Sequence, residues 1–138
     1  MSYCTKKIAV VFIIRENGKY LFQKRMHTGW HDGYYVLPGG HVEEGETLLE
    51  ASVRELFEEL DIIVQPQDLN FKLVKPEKTH VSFFFEIKKY SGKIRNKEPE
   101  KHADLSFLSL QEPGIYPDVI QELKTLEQGC CYLEEEIK

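Results

Sequence analysis

Between Leu37 and Ile62 the chain changes its hydrophobic period, and this stretch constrains the fold more tightly than any other. Tyr34 to Leu37 reads as a short strand, stopped by the breaker Pro38-Gly39-Gly40. Thr47 with Glu50 three residues later forms a capping box, which starts a helix. Leu49, Val53, Leu56 and Leu60 then recur at spacings of four, three and four, one apolar stripe that needs a surface to dock on. Glu55, Glu58 and Glu59 are spaced i, i+3, i+4 and share a different face. At about 100° per residue that face lies roughly opposite the leucines. One side of the helix therefore docks, and the other shows three adjacent carboxylates.

The flanking segments supply the docking surface. Ile8 to Ile14 is β-branched and apolar on both faces, as in a strand buried inside a sheet. Glu16-Asn17-Gly18-Lys19 is a turn, Tyr20 to Gln23 a returning strand, and residues 26–33 a polar loop with glycines. Phe71 to Val74, His80 to Tyr90 and Leu105 to Leu110 read as further strands. Pro117 followed by Val119, Ile120, Leu123 and Leu126 reads as a C-terminal helix with proline at its first position. The order β-β-β-α-β-β-β-α predicts an α/β (α+β) fold, one domain over 1–138, with helices packed on the faces of a mixed sheet.

Bulk chemistry excludes several roles. The net charge of −5 offers no basic field for a nucleic-acid backbone, so bulk nucleic acid is not an expected partner. The run Ile8–Ile14 is too short to span a membrane, and Arg15-Glu16-Asn17 stands where a signal peptide would carry small cleavage-site residues. Cys4, Cys130 and Cys131 lack the spacing of a disulfide framework or zinc site and read as free thiols. A cytoplasmic protein, monomer or homodimer, is expected.

Like charges at i,i+4 on a helix repel by a few tenths of a kcal/mol. An oxygen-rich cluster of this kind becomes favourable when a hard cation such as Mg²⁺ sits among the carboxylates. Gly39-Gly40 would let backbone approach the same site closely. A glutamate-rich helix face by itself is most often a solvated surface, and Gly-Gly by itself most often a turn. The combination decides. Gly40 is followed after five residues by Glu46, then after seven by Arg54-Glu55, with Leu56, Glu58, Glu59 and Ile62 in register. Six specified polar or glycine positions would match by chance on the order of 10⁻⁸ per start site.

This segment, 40–62, resembles the Nudix box. The resemblance runs on outside it, in Leu37-Pro38 before the box and in Glu98-Pro99-Glu100-Lys101 leading to Leu105-Ser106-Phe107. Asp61 departs from the glycine usual at the end of the box helix, and Phe107 from a common tryptophan. The resemblance implies a Nudix-type α/β/α sandwich with a mixed central sheet, and hydrolysis of a diphosphate linkage in a nucleotide. MutT-like nucleoside triphosphate pyrophosphohydrolases are nearest in size and layout.

It further implies that Glu55, Glu58 and Glu59, with the Gly39 carbonyl, hold Mg²⁺ or Mn²⁺. Glu55 is the expected general base, with Glu98 as second candidate. Arg54 is expected to orient the carboxylates with Glu46 as partner. Arg25, Lys24, His41 and Tyr34 are candidates for substrate binding, Arg25 ahead of Lys24 because its planar fork suits phosphate. Trp30, Tyr35, His80 and Phe84 are further candidates to bound a base. A (deoxy)nucleoside triphosphate, including an oxidised purine, is the leading substrate. ADP-ribose or a nucleotide sugar (Pro76 lies near a proline common in ADP-ribose enzymes), an RNA 5′ end, and a catalytically silent binding module are the alternatives.

Overall fold

The structure, a computed structural model, describes residues 2–134. Its strands are β1 (Lys7–Ile13), β2 (Arg15–Glu16), β3 (Lys19–Arg25), β4 (Tyr35–Val36), β5 (Gly39–His41), β6 (Leu69–Pro76), β7 (His80–Ile87) and β8 (His102–Leu108). The helices are α1 (Leu48–Leu60) and α2 (Pro117–Glu127). Strands β5-β1-β7-β6 form a mixed sheet in which β1 and β7 run parallel. Strands β2, β3 and β4, with β8 on the other side of β3, form a second, antiparallel sheet.

The both-sided apolar run in β1 finds a core on each face. Val10, Phe12 and Ile14 pack with Leu56 and Leu60 of α1, while Ile13 packs in the cluster containing Val119 and Leu123 of α2. That alternation is the pleat of one strand serving two cores, and it places a helix on either side of the sheet. At α2, the Lys75 ammonium meets the Glu122 carboxylate at 2.7 Å, tying the helix to β6.

Two local readings change. Pro38-Gly39-Gly40 does not end the sheet; it moves the chain from one sheet to the other, with Tyr35–Val36 pairing β3 and Gly39–His41 pairing β1. Leu49 is 38% exposed, so it stands outside the docking stripe, whose buried members are Ala51, Ser52, Leu56, Glu59 and Leu60. The stripe keeps Leu56 and Leu60 but takes in Ala51 and Ser52 in place of Leu49, and it includes an acid, Glu59.

The capping box is made as the sequence requires. Thr47 Oγ1 accepts the Glu50 N–H at 3.1 Å, and Glu50 accepts the Thr47 N–H at 3.0 Å. At the other end Asp61 adopts φ 61°, the left-handed cap that glycine usually takes. Its carboxylate accepts hydrogen bonds from Arg95 and lies 3.5 Å from the Lys97 ammonium, contacts that help hold that cap. Among the described residues no helix is long and apolar enough to cross a membrane, and Cys4, Cys130 and Cys131 are free and exposed.

Candidate active site

The site is assembled where α1 crosses β5. Pro38 O accepts from Phe12 N at 2.8 Å, and Ile8 O from Val42 N at 2.9 Å. In an antiparallel ladder Gly40–Val10 is the hydrogen-bonded pair between these two and Gly39–Val11 a non-hydrogen-bonded pair, so Gly39 turns its own N–H and C=O away from β1, into the site. Gly39 is sterically required by backbone, and Gly40 by the place that the Glu55 side chain takes. A Cβ on Gly39 would stand 2.4 Å from Val10 O, and one on Gly40 only 2.2 Å from the Glu55 carboxyl carbon. No side chain can stand between this strand and Glu55.

Arg54 organises the acids around it. Its Nε donates to Glu46 Oε2 at 2.7 Å and its Nη2 to Glu46 Oε1 at 2.8 Å, a bidentate pair. Nη1 bridges to Glu55 at 2.8 Å and Glu58 at 3.2 Å, and Nη2 also reaches His41 O at 3.1 Å. The guanidinium holds the Glu46 carboxyl down at about 2, chiefly through these hydrogen bonds. Glu55 is half-buried, and loss of solvation raises its carboxyl above the ordinary value despite Arg54 beside it.

Glu59 differs from the exposed residue expected. It is only 8% exposed, and its Oε2 has no hydrogen-bond partner. Burial pushes its carboxyl up to about 8, with the charges of Glu55 and Glu98 adding to the effect and the Gly39 N–H and Arg25 opposing it. A buried carboxylate without a counter-charge is expensive, and proteins usually answer with a proton or a cation. Glu58 stays exposed, held by Arg54.

Among the described residues no three acidic groups converge at metal-binding distance, because Arg54 stands between Glu55 and Glu58. The donor set still suits a hard divalent cation. It consists of oxygens, one of them an orphaned carboxylate oxygen, facing a strand whose glycines admit close approach. Glu55, Glu58, Glu59 and the Gly39 carbonyl are the groups that would hold it.

Around this centre the other candidates separate. The charge of Glu98 acts on Glu55, Glu59 and Arg25, which sets this loop glutamate beside the acids; its carboxylate pairs with Lys101 at 3.1 Å. Arg25 lies within reach of the Glu59 and Glu98 charges, and the Lys24 ammonium lies 5.8 Å from the centre of the Tyr35 ring. Gly40 faces Glu55, so the next side chain, His41, turns to the opposite face of the sheet; its ring lies 5.8 Å from that of His80. Only the His41 carbonyl takes part in the acid cluster. Tyr34 stands at the molecular edge against Tyr116, and Trp30 near Arg25. Tyr35 donates to Asp104. Phe84 is 2% exposed inside the α2 core and bounds no ligand site.

Two buried polar side chains near Arg25 escaped the sequence reading. Gln23, two residues before Arg25 on β3, and His102, paired with Arg25 across β8, each keep one nitrogen without a partner. Their polar side chains were the available signal, but which face they point to depends on the β3–β8 pairing.

The chain matches the NUDIX domain over residues 5–128. It is 34% identical over 106 residues to a Methanocaldococcus jannaschii protein named ADP-ribose pyrophosphatase, covering 74% of this chain and 62% of that protein. It is 35% identical over 83 residues to Escherichia coli phosphatase NudJ, covering 58% of this chain and 53% of that one. The chain thus spans between half and two thirds of the length of these relatives. The crystal structure of a MutT NUDIX hydrolase from Burkholderia pseudomallei superposes with a TM-score of 0.76 at 24% identity, covering 90% of this chain and 98% of the other. With a match from near its start to the end of its second helix, and with the box geometry closed around Arg54 and Gly40, this chain belongs to the NUDIX family.

Proposed function

We propose that this protein hydrolyses a diphosphate linkage in a nucleotide with the help of a divalent cation, Mg²⁺ or Mn²⁺. The observation that carries the reading is Glu59, a buried carboxylate with an orphaned oxygen beside Glu55. A cation there converts an unfavourable cluster into a binding site. When bound, the cation supplies counter-charge to the phosphate oxygens and to the charge that develops as the anhydride breaks.

The chain's own groups then have distinct tasks. Glu55 takes the proton from the attacking water; its half-buried carboxyl, raised above the usual range, is a stronger base than an exposed one. Arg54 fixes Glu55 and Glu58 against Glu46, so the carboxylates meet substrate already oriented. Arg25 meets a phosphate oxygen on the far side of Glu59. Glu98 is the second candidate for the base.

A (deoxy)nucleoside triphosphate, cleaved to monophosphate and pyrophosphate, is the first substrate class to test. ADP-ribose is the second, favoured by the name of the M. jannaschii relative. The test is a panel of nucleoside triphosphates, ADP-ribose and nucleotide sugars with Mg²⁺, scored for pyrophosphate, orthophosphate and monophosphate. Release of pyrophosphate from a triphosphate supports the first class, and AMP from ADP-ribose the second. No product from any member would overturn the hydrolase reading in favour of a binding module.

A further inference from the structure

A strip of aromatic rings leads away from Arg25 along the edge of the molecule. The Arg25 guanidinium carbon lies 4.8 Å from the centre of the Trp30 ring. Trp30 and His31 have ring centres 3.7 Å apart, and His31 stacks on Tyr116 at 3.8 Å. Tyr34 meets Tyr116 edge-on at 5.3 Å. Trp30 is 54% and Tyr34 44% exposed, so these rings present apolar surface to solvent.

The loop that carries Trp30 and His31 is internally fixed. The Asp32 carboxylate accepts from Thr28 N at 3.1 Å, Gly29 N at 2.8 Å and Thr28 Oγ1 at 2.6 Å. Arg25 Nε donates to Thr28 Oγ1 at 3.3 Å and to Trp30 O at 3.0 Å, which anchors the loop to the end of β3. Tyr116 is set at the start of α2 by its N–H donating to Tyr35 O at 3.0 Å. Rings held in place before a ligand arrives lose little further freedom on binding.

The chemistry along this edge is ordered. First come the acids Glu55, Glu59 and Glu98, then the Arg25 cation whose charge reaches Glu59 and Glu98, then the uncharged rings. A nucleotide holding a divalent cation presents the same sequence of partners: cation, phosphates, flat heteroaromatic base. We infer that the strip formed by Trp30, His31, Tyr34 and Tyr116 is the base platform of this protein, on which the substrate's nucleobase stacks while Arg25 meets a phosphate. The inference rests on the nucleotide reading above and adds the surface that recognises the base.

Trp30 is the only tryptophan in the chain, so its emission reports the platform directly. The full-length protein is titrated with ADP and, separately, with inorganic pyrophosphate, in EDTA and in Mg²⁺. ADP is expected to change Trp30 emission saturably, and pyrophosphate to change it little. In hydrolysis, Trp30→Ala and Tyr34→Ala should raise KM for the best nucleotide of the panel roughly 5- to 100-fold, the range that base–aromatic stacking gives. Trp30→Phe should restore most of the loss, and inhibition by pyrophosphate should be unchanged in all three variants, whose folding is checked by thermal melts. Equal weakening of nucleotide and pyrophosphate, no change in either, or an ADP-insensitive tryptophan would overturn the platform. So would a self-association lost in Trp30→Ala with nucleotide KM unchanged, which would make the strip a protein contact. Should the wild-type protein hydrolyse no panel member, the hydrolase reading fails by itself, and the ADP response of Trp30 still decides the platform.

Discussion

Arg54 grips Glu46 through two parallel hydrogen bonds, Nε to Oε2 at 2.7 Å and Nη2 to Oε1 at 2.8 Å, across eight residues of chain. The fork leaves Nη1 for Glu55 and Glu58, so one side chain joins the loop before α1 to the carboxylates on it. Lysine can offer the charge but not the paired geometry. Arg54→Lys should therefore lower kcat/KM at least ~10-fold while the melting temperature changes little, because the cluster is partly exposed. Steady-state kinetics beside a thermal melt check this, and wild-type activity in the lysine variant would show that the fork is dispensable.

Glu59 and Glu58 should part company in a metal titration. EDTA should abolish hydrolysis, and Mg²⁺ or Mn²⁺ should restore it. Cation binding to the folded state alone should also raise thermal stability, by about 2.7 kcal/mol at a concentration a hundred times Kd. Glu59→Gln puts a neutral amide in place of a buried carboxyl that is mostly protonated near neutrality without metal, so its metal-free form should be about as stable as wild type, yet gain no stability from Mg²⁺. Glu58→Gln, on an exposed position, should leave metal-free stability unchanged and still lose activity at least ~10²-fold. Turnover in a metal-free sample would refute the cation requirement.

Gly40 tests whether close approach of the strand to Glu55 matters. Gly40→Ala places a methyl 2.2 Å from the Glu55 carboxyl carbon and must displace that side chain. Gly45→Ala adds a methyl in open space but strains a φ of 85°. The first should lose activity by one to two orders of magnitude, roughly the effect expected of a misplaced catalytic group. The second should lose about 1 kcal/mol of stability and little activity. Activity retained in Gly40→Ala would place the working carboxylate elsewhere.

Arg25 and Lys24 adjoin in sequence but have different neighbours, the Glu59 and Glu98 charges for Arg25 and the Tyr35 ring for Lys24. Arg25→Ala should weaken kcat/KM by roughly 1–3 kcal/mol of transition-state binding, and Lys24→Ala by much less. A larger effect from Lys24 would reverse the two roles.

Tyr35 and Asp104 give the protein a defined pH dependence. The Tyr35 hydroxyl donates to Asp104 at 2.6 Å, which pushes the phenol up to about 12 and holds the carboxyl below its ordinary value. The raised phenol contributes stability that is complete below pH 10 and lost as pH rises toward 12. The lowered carboxyl contributes stability present above its unfolded value of 3.8 and lost as pH falls through its lower folded value. Tyr35→Phe should reduce stability by about 1 kcal/mol near neutrality, and the difference from wild type should shrink at both extremes. Denaturant titrations across pH check it; a constant difference would mean the bond carries no linkage.

The acid-bearing helix α1 was legible in the sequence because its determinants are local. A capping box acts over three residues, a helical face over four, and the Gly40–Glu46–Arg54–Glu55 spacing is fixed by the chain itself. The positions of β1, α1 and α2 followed from period and proline placement for the same reason. Tertiary structure decided what depends on partners distant in sequence. Glu59 looked exposed on the helix wheel, and became buried where α1 packs against β5. Gly39-Gly40 looked like a stop, and became a strand because β1 offered an open edge with which Gly40 could pair. His41 left the site because a strand alternates its side chains, and the facing was set by Gly40 meeting Glu55. Trp30 and Tyr116, 86 residues apart, share a strip because β4 anchors the start of α2 beside the loop. Short-range hydrogen bonding and helical period are written in consecutive residues; burial, facing and charge environment arise only when separate segments meet.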